Sequence, residues 1–215
     1  MSDILENLKK AVLEYDNDGA QSLAKKAIDE EIDPIKVADV LTDAIREVGE
    51  GFGRGELWLP DLIGAAATMQ AAMPVIEAAI KKSGKVRESL GRVVIGTVLG
   101  DIHSIGKDMV ATLLVAVGFE VINLGIDIKA NQFISAVKEH NPSLLAMSAL
   151  MTMTAPEQGK VITALKEEGL RDKVKIMIGG GAITQEFADK IGADGYAVAA
   201  TGAVDLAKKL LGKGE

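Results

Sequence analysis

Apolar residues up to about residue 85 recur every three to four positions, the spacing of amphipathic helices. The first helix carries Ile4, Leu8 and Val12 on one face, and Asp3 with Glu6 is expected to open it as a capping box. Later helices are predicted over 18–31, from Asp33-Pro34 to the glycine-rich stretch 49–55, and from Leu59 to about Ser83. Four helices with short connections predict a bundle over residues 1–85.

From about residue 90 the period changes, and short apolar runs alternate with amphipathic helical stretches. Five runs are predicted as strands, over 93–98, 119–124, 144–150, 175–178 and 195–199. Helices are expected to begin near Gly106, Ala130, Pro156, Gln185 and Thr201. This alternation predicts an α/β domain over 90–215 with a flavodoxin-like, doubly wound, five-stranded parallel sheet. Ligands of such sheets bind at the carboxyl ends of the strands.

Three short motifs follow or end predicted strands. The first is Asp101-Ile102-His103-Ser104-Ile105-Gly106, and 41 residues separate it from Ser148-Ala149-Leu150. After 28 more residues comes the run Gly179-Gly180-Gly181. Because the strands are expected to be parallel, the three motifs should meet at one edge of the sheet.

His103 has the setting of a metal-binding imidazole. A metal-bound histidine usually donates its second ring N–H to a carboxylate or carbonyl, and Asp101 is placed for that role. A lone Asp-x-His after a strand is also compatible with a structural loop. Thr154 has two interpretations, since Thr154-Ala155-Pro156-Glu157 has the form of a helix capping box. His140 is expected to be structural, at a helix end.

The three motifs, in this order and spacing, match the cobalamin-binding signature Asp-x-His-x-x-Gly, Ser-x-Leu and Gly-Gly. The chain therefore resembles the corrinoid proteins of methyltransferase systems, which serve methylamines, methanol, methoxylated aromatics or glycine betaine. It is also similar to the cobalamin module of methionine synthase. The stretch 51–61 looks like the segment that opens the last cap helix of these proteins, and the resemblance covers nearly the whole chain.

The resemblance implies roles for particular residues. His103 would be the lower axial ligand of the cobalamin cobalt, in a catalytic triad with Asp101 and Thr154. Gly106 would form a bend beneath the corrin, and the helical cap would shield the upper face, with Trp58 and Phe52 as contact candidates. Further cobalamin contacts are expected from Ser104, Ile105, Ser148, Leu150, Thr152, Gly179, Gly180, Gly181 and Tyr196.

The resemblance also implies a function. Such a protein would accept a methyl group on Co(I) cobalamin from a substrate-specific methyltransferase. It would pass the group to a second methyltransferase that uses tetrahydrofolate or coenzyme M, and a reductive activase would be a further partner. No other catalytic constellation is evident, so we expect a subunit without activity of its own. A protein for B12 storage, trafficking or sensing, or a stand-alone cobalamin enzyme, remains an alternative.

Composition narrows these expectations. The chain has no cysteine and two histidines, so any metal must be held by His and carboxylates or arrive on a cofactor. A net charge of -7 argues against nucleic-acid binding as the main function. The charged start at Met1-Ser2-Asp3 is unlike a signal peptide, and no apolar run approaches the roughly 20 residues of a membrane span. We therefore expect a cytoplasmic protein without membrane partners.

Overall fold

The computed structural model describes residues 2–84 and 89–213. It divides into two compact units, Met1–Glu88 with Val115–Gly118, and Ser89–Leu114 with Phe119–Glu215. A polar, charged link is expected from Lys81 to Glu88; the structure continues a helix to Ser83, residues 85–88 lie outside the described residues, and the domain boundary stays a prediction.

The first unit is a set of four helices, α1 (Ser2–Leu13), α2 (Asn17–Asp29), α3 (Pro34–Gly53) and α4 (Leu59–Ser83). Aspartates cap the N-termini of α2 and α3: Asp16 accepts a hydrogen bond from the Gly19 amide, and Asp33 accepts one from the Ile35 amide. α4 packs against α2 and α3, and α1 packs against the same two helices. The predicted helical bundle is confirmed.

Two predicted helix boundaries are wrong. α1 already begins at Ser2, so Asp3 lies inside its first turn and is not the N-cap. α3 continues through Gly49 to Gly53. Gly51 is buried, and a Cβ there would lie 2.8 Å from Leu57 Cδ1. This glycine therefore makes room for the returning chain inside a helix that continues past it.

The second unit contains five parallel strands in the order β2-β1-β3-β4-β5, which confirms the flavodoxin-like fold. A short 3₁₀ turn, Arg171–Lys173, precedes β4. The strands and helices, in chain order, are β1 (Arg92–Thr97), α5 (Ile105–Ala116), β2 (Glu120–Asn123), α6 (Ala130–His140), β3 (Leu144–Ser148), α7 (Ala155–Glu167), β4 (Lys175–Gly179), α8 (Gln185–Ile191), β5 (Gly195–Ala197) and α9 (Ala200–Leu210).

The register of the sheet brings four strand ends into one row. Thr97 pairs with Ser148, Ser148 with Gly179, and Gly179 with Ala197. Beneath this row, Phe133 of α6 is fully buried against β1, and a Cβ at Gly96 would lie 2.9 Å from its ring. The packing of buried strand residues against the surrounding helices therefore stabilises this alignment of the four strand ends.

α4 is long and apolar enough to cross a bilayer by length and composition alone, with a mean hydropathy of 1.4 over 18 residues. The expectation that no segment reaches this limit is therefore wrong for α4. About 28% of that window is buried, and Leu62, Met69 and Ile76 are among the buried residues. These residues are buried because α4 packs against the other helices of the four-helix unit.

A tyrosine ties the end of α1 to the start of α4. Tyr15 has a positive φ of 62° and donates a hydrogen bond to Asp61 Oδ1 at 2.9 Å. Asp61 Oδ2 accepts a second hydrogen bond from the Trp58 amide at 2.6 Å. Partial burial, the hydrogen bond to Asp61 and its negative charge raise the pKa of Tyr15 to about 12.

This pKa predicts a loss of stability at alkaline pH. In the unfolded chain the phenol loses its proton near pH ~10, whereas in the folded chain it keeps it to about pH 12. The contribution of Tyr15 to stability is therefore complete below pH ~10 and lost as pH rises through the folded pKa. Thermal unfolding of the wild type and of Tyr15→Phe, from pH 8 to 11.5, should show the stability advantage of the wild type shrinking above pH ~10. A constant difference across this range would contradict the assignment.

Candidate functional site

A cavity of about 640 Å³ opens at the carboxyl edge of the sheet, where the four strand ends form their row. Apolar side chains from β1, β3 and β4 form much of its wall, among them Ile95, Met147 and Met177. The sequence-predicted residues that line it are His103, Ser104, Ile105, Gly106, Ser148, Leu150, Gly179, Gly180 and Gly181. The three motifs therefore meet at one cavity.

The Asp101 carboxylate lies directly behind the His103 ring and is fully buried. Its Oδ1 is 2.7 Å from His103 Nδ1 and accepts a further hydrogen bond from the His103 amide at 3.1 Å. Its Oδ2 accepts hydrogen bonds from the amides of Leu150 and Met151, at 2.8 and 3.3 Å, and from the Thr154 hydroxyl at 2.6 Å. Both oxygens are thus satisfied without water.

This environment keeps Asp101 ionised. Burial on its own raises the pKa of the carboxyl, but the hydrogen bonds from Thr154, His103 and Leu150 outweigh it and place the pKa well below the ordinary value. An ionised carboxylate only accepts hydrogen bonds, so His103 Nδ1 must be the donor. The lone pair of the neutral ring is then on Nε2, and the side chain is 47% exposed. Nε2 is therefore the nitrogen available to a metal.

Thr154 serves the carboxylate and does not cap a helix through its side chain. It is the N-cap residue of α7, yet its hydroxyl makes no capping hydrogen bond. Thr154 Oγ1 lies 2.6 Å from Asp101 Oδ2 and 3.0 Å from the Met151 carbonyl, and both are acceptors. The one hydroxyl proton goes to the closer, charged oxygen. Of the two interpretations of Thr154, the capping box at 154–157 is therefore wrong.

The glycines of the motifs occupy their positions for different structural reasons. Gly106 is the second residue of α5, so the expected bend at this position is wrong. The chain turns earlier, at Gly100, which has a φ of 78°. Gly180 has a φ of 128°, and a Cβ there would lie 1.9 Å from the Ala149 carbonyl oxygen. Gly180 is thus required by the neighbouring backbone of the protein itself.

The same regions match known families. Residues 91–205 match the B12 binding domain, and residues 4–77 match a second family model of the same description. The chain is 44% identical over 210 residues to the trimethylamine corrinoid protein of Methanosarcina barkeri, covering 97% of each chain. The chain belongs to the B12-binding corrinoid proteins.

Other comparisons agree. A corrinoid protein of Desulfitobacterium hafniense is 42% identical over 212 residues, with 98% of each chain covered. Among solved structures, the methanol:cobalamin methyltransferase complex of Methanosarcina barkeri matches with a TM-score of 0.84 and 30% identity. That match covers 98% of this chain and 80% of the other.

The residues of this corrinoid protein fit the cofactor. When the His103 ring is neutral, Nε2 is its metal-binding nitrogen, because Nδ1 donates to Asp101. The wall around it is largely apolar and suits the face of a large macrocycle. A buried carboxylate behind the ring is the usual partner of a metal-bound histidine.

Some predicted contact residues lie elsewhere. Among the described residues, those lining the cavity do not include Tyr196 or Thr152. Tyr196 packs against the core of the second unit, and Thr152 is exposed. In the first unit Trp58 is 72% exposed and Phe52 is partly buried. Their roles toward the cofactor stay predictions.

Sequence reasoning missed part of the cavity wall. Val198 and Ala199 follow β5 and line the cavity, and Val198 is 86% exposed. The parallel arrangement of the strands was enough to predict this, because the residues that follow β5 must lie at the same edge of the sheet as those that follow the other strands. Lys107 also lines the cavity although its side chain is 1% exposed. It pairs with Asp108 and donates to Asn123 at 2.7 Å, a tertiary contact with no local sequence signal.

The hydrogen bond from Thr154 to Asp101 predicts a difference between two substitutions. Thr154→Val keeps the shape but removes the donor to a buried charge, so unfolding should cost about 2 kcal/mol less. Thr154→Ser keeps the hydroxyl and loses one buried methyl group, so it should stay within about 1 kcal/mol of the wild type. Urea unfolding of the three proteins measures this. Equal stabilities for the valine and serine variants would contradict the contact.

Alanine substitution should have opposite effects on stability at Gly106 and at Gly180. Gly106→Ala places a Cβ that meets nothing within 4 Å, so stability should be unchanged or rise by up to about 1 kcal/mol. Corrinoid affinity should nevertheless fall, because Gly106 lines the cavity. Gly180→Ala should destabilise by about 3 kcal/mol through the strained φ and the overlap with Ala149. Thermal unfolding without cofactor, and cobalamin titration, separate the two effects; unchanged affinity in Gly106→Ala would contradict the first.

Proposed function

We propose that this corrinoid protein carries a methyl group from a methylated amine, delivered by one methyltransferase, to a second methyltransferase. The observation that carries the proposal is the His103 ring, held by Asp101 with Nε2 left for the metal at the edge of the cavity. The choice of methylated amine is supported by the 44% identity to a trimethylamine corrinoid protein along 97% of both chains.

In this proposal the residues of the chain bind and orient the corrinoid. The bound corrinoid supplies a cobalt that accepts and releases the methyl group. His103 Nε2 is the proposed axial ligand, Asp101 fixes the ring, and Thr154 fixes Asp101. Ser148, Leu150 and the run 179–181 lie at the cavity wall where the rest of the cofactor is proposed to lie, with Ser104, Ile105 and Gly106.

The side chains near His103 support a dependence on partner methyltransferases. Within residues 2–84 and 89–213 we find no group of three or more His, Asp or Glu side chains that could hold a metal ion. In the described lining of the cavity the titratable side chains are His103, which is assigned to the metal, and Lys107, which pairs with Asp108, so neither is free to activate an amine. We therefore propose that the donor is activated on the first methyltransferase. The acceptor is proposed to be tetrahydrofolate or coenzyme M on the second, and a reductive activase restores the active cobalt.

The test uses protein reconstituted with cobalamin and reduced. Trimethylamine and a trimethylamine methyltransferase should together produce the absorbance spectrum of methylated corrinoid, while trimethylamine alone should not. Replacing this partner with a methanol methyltransferase and methanol tests the choice of donor. Methylation by trimethylamine alone would show a stand-alone enzyme. A bound corrinoid that neither partner methylates would favour storage, trafficking or sensing.

The two histidines supply a matched control. In the Co(II) state of protein whose histidines carry the heavy nitrogen isotope, the wild type and His140→Ala should show hyperfine coupling from one isotope-labelled imidazole in the EPR spectrum. His103→Ala should lose this coupling and still bind corrinoid through the remaining wall of the cavity. His140 ends α6, outside the cavity lining of the described chain. Coupling that survives in His103→Ala would contradict the proposed ligand.

A further inference from the structure

The segment between β2 and α6, residues 124–129, lies along the loop that carries Asp101 and His103. Asp127 contacts this loop twice. Its Oδ1 accepts a hydrogen bond from the Gly100 amide at 2.7 Å, and its own amide donates to the Asp101 carbonyl at 3.1 Å. The residue before Asp101 and the carbonyl of Asp101 itself are therefore held by one side chain and one amide from a neighbouring segment.

The backbone at Asp127 is adapted to this contact. Its φ is 55°, in the left-handed region that glycine, asparagine and aspartate tolerate best. Gly100 also has a positive φ, of 78°. Two turns of the chain thus face each other, and the carboxylate of one accepts from the amide of the other.

Two further hydrogen bonds hold the loop without involving Asp127. The Thr97 hydroxyl donates to the His103 carbonyl at 3.0 Å, and Thr97 is fully buried in the row of strand ends. The Asp101 amide donates to the Val98 carbonyl at 3.1 Å. Gly100 is the only glycine between Thr97 and His103, and without Asp127 its amide would lose its only acceptor among the described residues. Asp127 therefore fixes the residue of this loop whose backbone is intrinsically least restricted.

We propose that Asp127 is a positioning residue for the axial histidine: it fixes the Gly100–Asp101 backbone, and so the direction in which His103 Nε2 points. The inference rests on the proposed function for the role of His103 as ligand. Both Asp127 and Gly100 are exposed, so water can replace the hydrogen bond and the free energy of unfolding should change little. The effect is expected on the geometry of ligation.

Three variants separate the acceptor from the backbone conformation. Asp127→Asn keeps an acceptor oxygen and tolerates the left-handed conformation. Asp127→Gly keeps the conformation and removes the acceptor. Asn141→Gly is the matched control, because Asn141 also has a positive φ, of 45°, and is exposed in the same unit outside the cavity lining. It reproduces the added backbone freedom without touching the loop.

The readouts are the cobalamin affinity of the reconstituted protein and, with isotope-labelled histidine, the histidine nitrogen hyperfine coupling in the Co(II) EPR spectrum. Asp127→Gly should bind cobalamin more weakly by a factor of up to about 10, the lower end of the loss when a direct partner of a metal ligand is removed, because Asp127 acts on His103 only through the loop backbone. It should also show a mixture of histidine-coordinated and histidine-free cobalt. Asp127→Asn and Asn141→Gly should match the wild type in both measurements. All four proteins should have similar melting temperatures.

Two results would overturn the inference. Asp127→Gly with wild-type affinity and full coupling would show that the loop needs no clamp, and an equal loss in Asp127→Asn would show that the acceptor geometry is not what matters. Either result leaves the proposed function intact if the wild type itself shows imidazole coupling. A wild type that binds no corrinoid, or binds it without imidazole coupling, would refute the proposed function and this inference together.

Discussion

A carboxylate with no access to water needs all of its charge compensated by hydrogen bonds, and this requirement at Asp101 shapes the edge of the sheet. Its donors come from its own loop, from the segment after β3 and from the start of α7. The segment after β3 turns so that the amides of Leu150 and Met151 face one oxygen. The ring of His103 takes the remaining side of the other oxygen. Orienting a ring that is half exposed thus depends on a group that is not exposed at all.

The parallel ladder supplies the second constraint. Because Thr97, Ser148, Gly179 and Ala197 pair in one row, the loops that follow them leave the sheet at the same level. The Val98 amide bonds the Ser148 carbonyl and the Ala149 amide bonds the Gly179 carbonyl, which extends the row one residue beyond the strands. A cavity lined by residues distant in sequence follows from this register, without any special feature in the individual loops.

The same register explains how far the sequence could be interpreted. Alternating apolar runs predicted the sheet, and motifs at strand ends had to converge once the strands were parallel. The predictions that were wrong concern residues whose structure depends on tertiary contacts, and no local sequence pattern encodes those contacts. The continuation of α3 past Gly51 reflects the approach of Leu57, and the hydroxyl of Thr154 is taken by a carboxylate 53 residues away in sequence. Asp127 carries no motif, since its importance lies only in facing Gly100.

Gly180 and Gly106 have different consequences for how this family evolves. Alanine at 180 collides with the Ala149 carbonyl whether or not a cofactor is bound, so a descendant that had lost its cofactor would still need this glycine to fold. Alanine at 106 meets no protein atom within 4 Å, and the helix gains from it. Only use of the cavity would oppose the change. Drift at position 106 with glycine kept at 180 would therefore mark a lineage that retains the fold and has abandoned the cofactor.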